Sequence, residues 1–548
     1  MKRLFLGCLM VCLALGFTHA ADMRTVAEQS GFQRTSSYQD VIDFLVAMES
    51  ISPVVTLATL TRSIEGRIIP LVILSSEGQR SHRELSTSGK PVVLITANIH
   101  AGEVEGKEAC LMLIRDLVQG RESRILEKQV ILVVPIFNAD GNDKFGPNRH
   151  DNGPELAGVR YNGQFLDLNR DFLKLESPEV RSLVRLINEW DPVLFVDLHT
   201  TNGSYHREPV TYSTMTHPNT AMELRHFMWR TFLSASSDML RQSHGYDSVP
   251  YGNFSDRFTP QKGWENWAVA ARFGFNYMGL RNRFTVLNEN YSHADFRTRV
   301  LSCHAFLKSV LQVSNRHIET MANMVKEADR ATVNELPQQS LALTYTLDRL
   351  FDIDLKSYRF KKVKIKPEER HKYPPWYGDH RVEKTEDLVT YRLPYLAEAK
   401  PTASVPIPEA YIIPPYHKEV VNLLRRHGII LQRIQSDVRL TVERYTFSEI
   451  KPGDRIYQGH ILLECITAVE TLETDVPAGS TYVSVRQPLG RLIPILLEPQ
   501  SDDSLLAWGF FNREIVSQWT GQPRPYPVFR LPHRPKVLSL WLDTDGGE

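Results

Sequence analysis

The chain reads as an α/β protein, a three-layer αβα sandwich around a mixed, mainly parallel sheet, followed by a largely β C-terminal domain. Two observations carry that reading. Up to about residue 334, β-branched apolar runs alternate with helix-periodic segments, and alternating β and α elements build a sheet with helices on both faces. Beyond about Glu335 the composition shifts to β-branched, aromatic and proline-rich stretches such as KYPPWYGDH, VPIPEAYIIPPY and GQPRPYPVFRLP.

Taken in order, the spacing predicts a helix near Tyr38 to Ser50, strands Val54 to Arg62, Ile68 to Ser75 and Val92 to Ala97, a helix Val104 to Leu117 and a strand Val130 to Ile136. A polar loop from Asn138 to Gln164 follows, and loops that long inside a compact domain are usually functional. Ser177, Pro178 and Glu179 open a helix with an N-cap and a proline at the first helical position, and Asp191-Pro192 stops it. The run DPVLFVDLHTTN then reads as a buried parallel strand, and Arg297 to about Val333 as a helix. In the C-terminal part, short alternating runs such as Val438 to Tyr445 and Thr481 to Arg486 predict strands. One helix, His417 to His427, interrupts them and is ended by Gly428 as its C′ residue.

At the N-terminus, Lys2 and Arg3, an apolar run from Leu4 to Phe17 and Thr18-His19-Ala20 form a processing signal. The expected organisation is therefore a signal peptide over 1–20, a catalytic domain over 21–334 and a mostly β accessory domain over 335–548. Export follows, to a periplasm or the extracellular medium, with no stable membrane insertion after cleavage. Only Cys110, Cys303 and Cys465 remain in the mature chain, so at most one disulfide can form. The 64 basic and 64 acidic residues cancel, which leaves no electrostatic footprint for nucleic acid.

The stretch Pro91 to Leu117 places His100 at a strand end and brings Glu103 back beside it through a turn containing Gly102. Zn²⁺ accepts nitrogen and oxygen donors of this kind, and a catalytic site needs one more protein ligand and an open position. His199 supplies a third donor, also at the end of a strand, where open α/β sheets keep their binding crevices. Glu289 follows the mostly apolar run Phe284 to Leu287, so its carboxylate faces the same crevice and can accept a proton from a metal-acidified water. Asn169 and Arg170 offer an amide and a planar guanidinium fork, suited to bidentate capture of a carboxylate.

In this order the motifs, His100 and Glu103, Asn169 and Arg170, His199, then Glu289, resemble those of the zinc metallocarboxypeptidases of the carboxypeptidase A type. The resemblance runs from about Pro91 to about Val300, and NADGND, LNRDFLKLESPEVR and DFRTRV look like a secreted bacterial branch of that family. It implies one Zn²⁺ per chain held by His100, Glu103 and His199, with Glu289 as catalytic base. It also implies that Asn169 and Arg170 hold the free C-terminal carboxylate of a peptide substrate. Asp167 resembles the family's carboxylate that hydrogen-bonds the first histidine and fixes its tautomer. Arg149 suits an arginine that polarises the scissile carbonyl, in a loop that also carries Arg160. Tyr277 and Tyr251 are the candidates for the family's active-site tyrosine, with Tyr277 placed at the substrate. Arg281 and Arg283 are either specificity determinants or structural. The alternatives are a related zinc deacylase acting on N-acyl amino acids, or a non-catalytic binding protein on the same fold.

Overall fold

The computed structural model describes residues 23–79, 81–84, 89–148, 150, 152–373, 377–515, 521–535 and 538–543. The signal sequence expected at 1–20 and the candidate Arg149 lie outside these residues.

Eight strands form the central sheet: β1 (Val55–Arg62), β2 (Ile68–Leu74), β3 (Val92–Ala97), β4 (Val130–Val134), β5 (Leu194–Thr201), β6 (Val210–Ser213), β7 (Ser248–Pro250) and β8 (Phe284–Tyr291). Their spatial order is β1-β2-β4-β3-β5-β8-β6-β7. The pairs β4/β3, β3/β5, β5/β8 and β6/β7 are parallel, while β1/β2, β2/β4 and β8/β6 are antiparallel. The sheet is mixed, as expected, and its centre is the parallel part.

The central strands have no solvent face, because each alternate residue enters a different core. Val92, Leu94, Val130 and Leu132 pack in one core beneath α3 (Pro178–Trp190) and α5 (Gly274–Leu280). Val93, Ile95, Ile131 and Val133 pack in the other, against α1 (Tyr38–Ile51), α2 (Glu105–Val118), α4 (Leu233–His244) and α6 (Phe296–Glu335). This is the three-layer αβα arrangement. Local chemistry sets the helix starts: Ser177 caps α3 by accepting the Val180 amide at 3.1 Å, and Asp295 caps α6 by accepting that of Thr298 at 3.0 Å. None of the described helices is long and apolar enough to cross a membrane.

The C-terminal part is rich in strands, some of three or four residues, as short as the runs expected, and four far longer. A hairpin of β9 (Ser340–Lys364) and β10 (His380–Pro406) has arms of 25 and 27 residues. β10 also pairs in parallel with the two-residue strand Trp264–Glu265, register Trp264 to Tyr395. A seven-stranded sheet contains β11 (Ala410–Ile413), β12 (Gln432–Ile434), β13 (Val438–Tyr457), β14 (His460–Val476), β15 (Thr481–Ser484), β16 (Phe529–Leu531) and β17 (Leu540–Leu542). Register shifts between Ala342 and Thr344, Arg349 and Phe351, Tyr358 and Phe360, and Phe447 and Glu449 explain the difference, since each bulge resets the period-2 pattern that reveals a strand.

The helix expected at His417 to His427 forms as α7 (Lys418–Arg426), with Gly428 beyond it at φ 86°. It is not the only helix of this part, because Leu492–Leu497 and Asn512–Ile515 are helical too. The sequence LIPILL is apolar at every position and buried all round, so it carries no helical period to read. Tyr411, Ile413, Val420 and Leu424 join the same core as α3 and α5, so the C-terminal part is packed onto the helical face of the sheet.

Candidate metal centre and cleft

The carboxyl ends of β3, β5 and β8 meet at one point. β3 and β5 run in parallel with Ala97 opposite Leu198, and β5 and β8 with His199 opposite Glu289. His100 follows β3 by three residues, and the Glu103 amide closes a turn back onto the His100 carbonyl at 2.9 Å. His100, Glu103 and His199 thereby bring three donor atoms within 4.8 Å of one another, all on buried residues.

The donor set fits a zinc ion. Both imidazoles present Nδ1 to the Glu103 carboxylate, His100 at 2.9 Å from Oε1 and His199 at 3.1 Å from Oε2. Their Nε2 atoms face carboxylates: Asp167 Oδ1 lies 3.0 Å from His100, and Asp197 Oδ2 lies 2.9 Å from His199. The Asp167 carboxylate favours the proton on His100 Nε2 and leaves Nδ1 free to ligate, and Asp197 sets a negative charge against His199 Nε2 without an aligned hydrogen bond. Asp197 is fixed in turn by Thr96, whose hydroxyl donates to Oδ1 at 2.7 Å. The Thr200 amide donates to Glu103 Oε2 at 3.1 Å, and the Thr200 hydroxyl donates to buried Glu105, which pairs with buried Arg299.

Charges at this centre are tuned accordingly. Burial alone would raise the Glu103 carboxyl, but His100 and His199 hold it well below the usual carboxylate range. Burial is likewise overridden at Asp167 by His100, Arg170 and Arg160, which hold its carboxyl down. Burial would lower His199, yet Asp197, Glu103 and Glu289 push the imidazole well above its ordinary value. At Glu289 burial wins, aided by the Glu103 charge and opposed by His199, and the carboxyl is pushed up to about 8.

A cleft opens over this centre, with Glu289, Arg160, Asn169 and Arg170 in its walls. Asp167 lies outside the strands of the sheet. Its side chain accepts the Asn169 amide at 3.0 Å and caps a single 3-10 turn, Leu168–Arg170. Asn169 Oδ1 accepts the Gly274 amide at 2.9 Å, and the Arg170 guanidinium lies 4.4 Å over the Phe273 ring. Asp171 is taken up by Lys174 and Ser177, not by Arg170. Arg160 reaches the centre itself, donating from Nε to Asp167 at 2.8 Å and from Nη1 to Glu103 at 3.4 Å.

Tyr277 is not at the cleft. It is 0% exposed, its hydroxyl meeting His427 Nδ1 and Arg281 Nη1 at 3.0 Å each, because every residue of α5 is buried. Tyr251 is the tyrosine that lines the cleft. Arg281 and Arg283 are structural: Arg281 bonds Asn188 at 2.7 Å, and Arg283 pairs with Asp191 at 2.6 Å and Asp329 at 3.1 Å. Asp197 was missed in the sequence, although a buried carboxylate two residues before a strand histidine shares its face of the strand. Among the described residues, Cys110, Cys303 and Cys465 form no disulfide.

Residues 41–278 match the family model for zinc carboxypeptidases, Peptidase_M14. Carboxypeptidase 2 of Trichophyton rubrum is 24% identical over 490 residues, covering 86% of this chain and 81% of its own. Human carboxypeptidase D is 31% identical over 134 residues, which are 20% of this chain and 9% of that one. Among solved structures, a metallo-carboxypeptidase from Burkholderia cenocepacia superposes with a TM-score of 0.39 at 18% identity, covering 52% of this chain and 70% of that chain. Carboxypeptidase A from Helicoverpa armigera gives 0.38 at 19% identity, covering 54% and 75%.

Proposed function

We propose that this zinc-dependent peptide-bond hydrolase, matched over residues 41–278 to the zinc carboxypeptidases, is an exported exopeptidase that removes the C-terminal residue of peptides. The observation that carries the reading is the placement of Arg170 and Asn169 in the same cleft wall as Glu289 and the His100, Glu103, His199 cluster. A carboxylate-binding fork beside a hydrolytic centre selects the bond next to a chain end.

His100, Glu103 and His199 hold the zinc ion, which when bound acidifies water toward pKa ~7 and polarises a carbonyl. Glu289 accepts the proton of the attacking water and delivers it to the leaving amine. A carboxyl lifted by burial suits that double role, since a proton carrier works best with a pKa near the operating pH. Arg160 donates to the carbonyl oxygen of the scissile bond, a role its reach to the centre supports. Arg170 and Asn169 take the terminal carboxylate, and the Phe273 ring keeps the guanidinium plane in place. Tyr251 closes over the terminal residue.

The remaining cleft walls carry no charge: Thr200, Thr201 and Asn202 are polar, and Trp267, Ala268, Phe273, Phe275 and Leu287 are apolar. A terminal residue with an apolar or aromatic side chain is therefore preferred to a charged one. The likeness of NADGND, LNRDFLKLESPEVR and DFRTRV supports a secreted bacterial branch, whereas the relatives matched over most of the chain are fungal; the proposed organisation is a leader over 1–20, a catalytic domain over 21–334 and an accessory domain over 335–548.

Mass spectrometry of the products from a set of peptides with free C-termini tests the reading. The expected result is release of single amino acids from the C-terminus, fastest for Phe, Tyr or Leu. Internal fragments, or release confined to N-acyl amino acids, would replace it with an endopeptidase or deacylase.

A further inference from the structure

The hairpin β13–β14 ends in a two-residue turn, Gln458–Gly459, closed by the pair Tyr457 and His460. Both turn residues have positive φ, 52° and 80°. The second position is natural for glycine, whereas Gln458 adopts a left-handed backbone that β-carbon sterics disfavour. Its side chain shows what the conformation achieves. Gln458 Oε1 accepts the backbone amide of Asp167 at 2.8 Å. Asp167 is the residue that meets His100 Nε2 and caps the turn bearing Asn169 and Arg170.

Other C-terminal residues grip the same region. His460 Nε2 lies 2.6 Å from Glu176 Oε1. Asp503 accepts the Arg272 amide at 3.0 Å and lies 2.9 Å from its Nε. The Arg272 guanidinium lies against Trp508 and Tyr457, 5.3 and 5.5 Å from their ring centres. Arg272 precedes Phe273, the ring beneath Arg170. Both segments that build the carboxylate fork, 167–176 and 272–274, are thus tied from outside by the C-terminal part.

We propose that Gln458 is a positioning residue, through which the C-terminal hairpin fixes the Asp167 turn and so sets both the His100 imidazole and the Arg170 fork. The proposal rests on the reading of His100 as a zinc ligand and Arg170 as the carboxylate fork. Gln458 touches neither zinc nor substrate. It fills the one hydrogen-bonding position of Asp167 that the catalytic part leaves to a neighbour, the carboxylate being already engaged by His100, Arg160 and the Asn169 amide.

The test uses the full chain with Gln458→Ala and Gln458→Asn. Asparagine keeps the amide and tolerates the left-handed backbone, but its side chain is one methylene too short to reach Asp167. Both variants are expected to melt close to the parent and to exchange the amide hydrogens of 166–171 faster. Both should also bind zinc about 10-fold more weakly in chelator competition, the lower end of the effect of losing an outer partner of a ligand. The preference for a free-acid peptide over its amide should fall through KM more than through kcat. Parental zinc affinity in both variants overturns the proposal. So does a large loss of melting temperature with zinc affinity and kinetics per folded molecule unchanged, which makes Gln458 a stabilising contact only. Zinc affinity and exchange are read without a peptide, so an enzyme that ignored the substrate's terminus would overturn the exopeptidase reading and leave this test standing.

Discussion

Glu289 sits at the end of β8 with its carboxyl lifted from 4.5 to about 8, chiefly by burial. A folded pKa above the unfolded one gives stability that is complete below about 4.5 and is lost as pH rises through about 8. Metal-free protein should therefore lose melting temperature between pH 5 and 9, and Glu289→Gln should flatten that decline. The same variant should keep about one zinc per chain and lose roughly 10² to 10⁴-fold in kcat. Near-normal turnover would move the base to another residue. His199→Ala should leave zinc well below one per chain, and full occupancy there would sink the ligand assignment. The candidate metal cluster is legible because two histidines follow apolar strands and one carboxylate stands at i+3. The tyrosine is not, since neither GFNYMGL around Tyr277 nor SVPYGNF around Tyr251 carries a pattern that marks a cleft residue, and only packing decides which side chain turns to the cleft.

α2 holds its place against the sheet through Gly106. A β-carbon there would lie 2.6 Å from Leu198 Cβ and 3.3 Å from Ala97 Cβ, so the helix rests directly on β3 and β5, one residue from His199 and three from His100. Gly106→Ala gains helix propensity of about 1 kcal/mol but overpacks a dense contact at roughly 1 to 3 kcal/mol. The expected result is a lower melting temperature and weaker zinc binding together, because Glu103 precedes the helix by two residues. A variant more stable than the parent would show that the helix has room to move. At this scale the first half of the sheet is readable in the sequence: Val92–Ala97 forms at its expected ends and Tyr38–Ile51 differs by one residue, whereas the short strands β6 and β7 and the helices α4 and α5 carry no expectation. The C-terminal hairpins are not readable, since bulges and two polar faces erase the alternation along β9, β10, β13 and β14.

Across the molecule, the two parts share one core and exchange buried polar contacts. His427, at the end of α7, sits between the Tyr277 hydroxyl and the Leu173 carbonyl, 3.0 and 3.1 Å away. Burial, with Arg281 adding to it, pushes its imidazole down to about 3. A depressed pKa gives stability that is present above the unfolded value near 6.5 and is lost as pH falls. Between pH 7 and 5 the joint should lose roughly 2 kcal/mol through this histidine. His427→Gln should remove much of that loss in denaturant titrations at the two pH values. An unchanged pH dependence would mean that His427 is solvated. Composition announced a strand-rich second part, but contacts between residues 277 and 427 depend on long-range packing that no local pattern encodes.

The central claim is that the cleft reads a free carboxylate beside a zinc centre. It is tested most directly by kcat/KM on a matched pair of peptides, free acid and C-terminal amide, with the parent enzyme and Arg170→Met. The amide leaves a desolvated guanidinium without its partner, a cost of several kcal/mol. The parent is therefore expected to cleave the acid at least a hundredfold faster, and Arg170→Met to erase most of that ratio by losing the acid reaction alone. Equal rates on acid and amide with the parent enzyme would contradict the account.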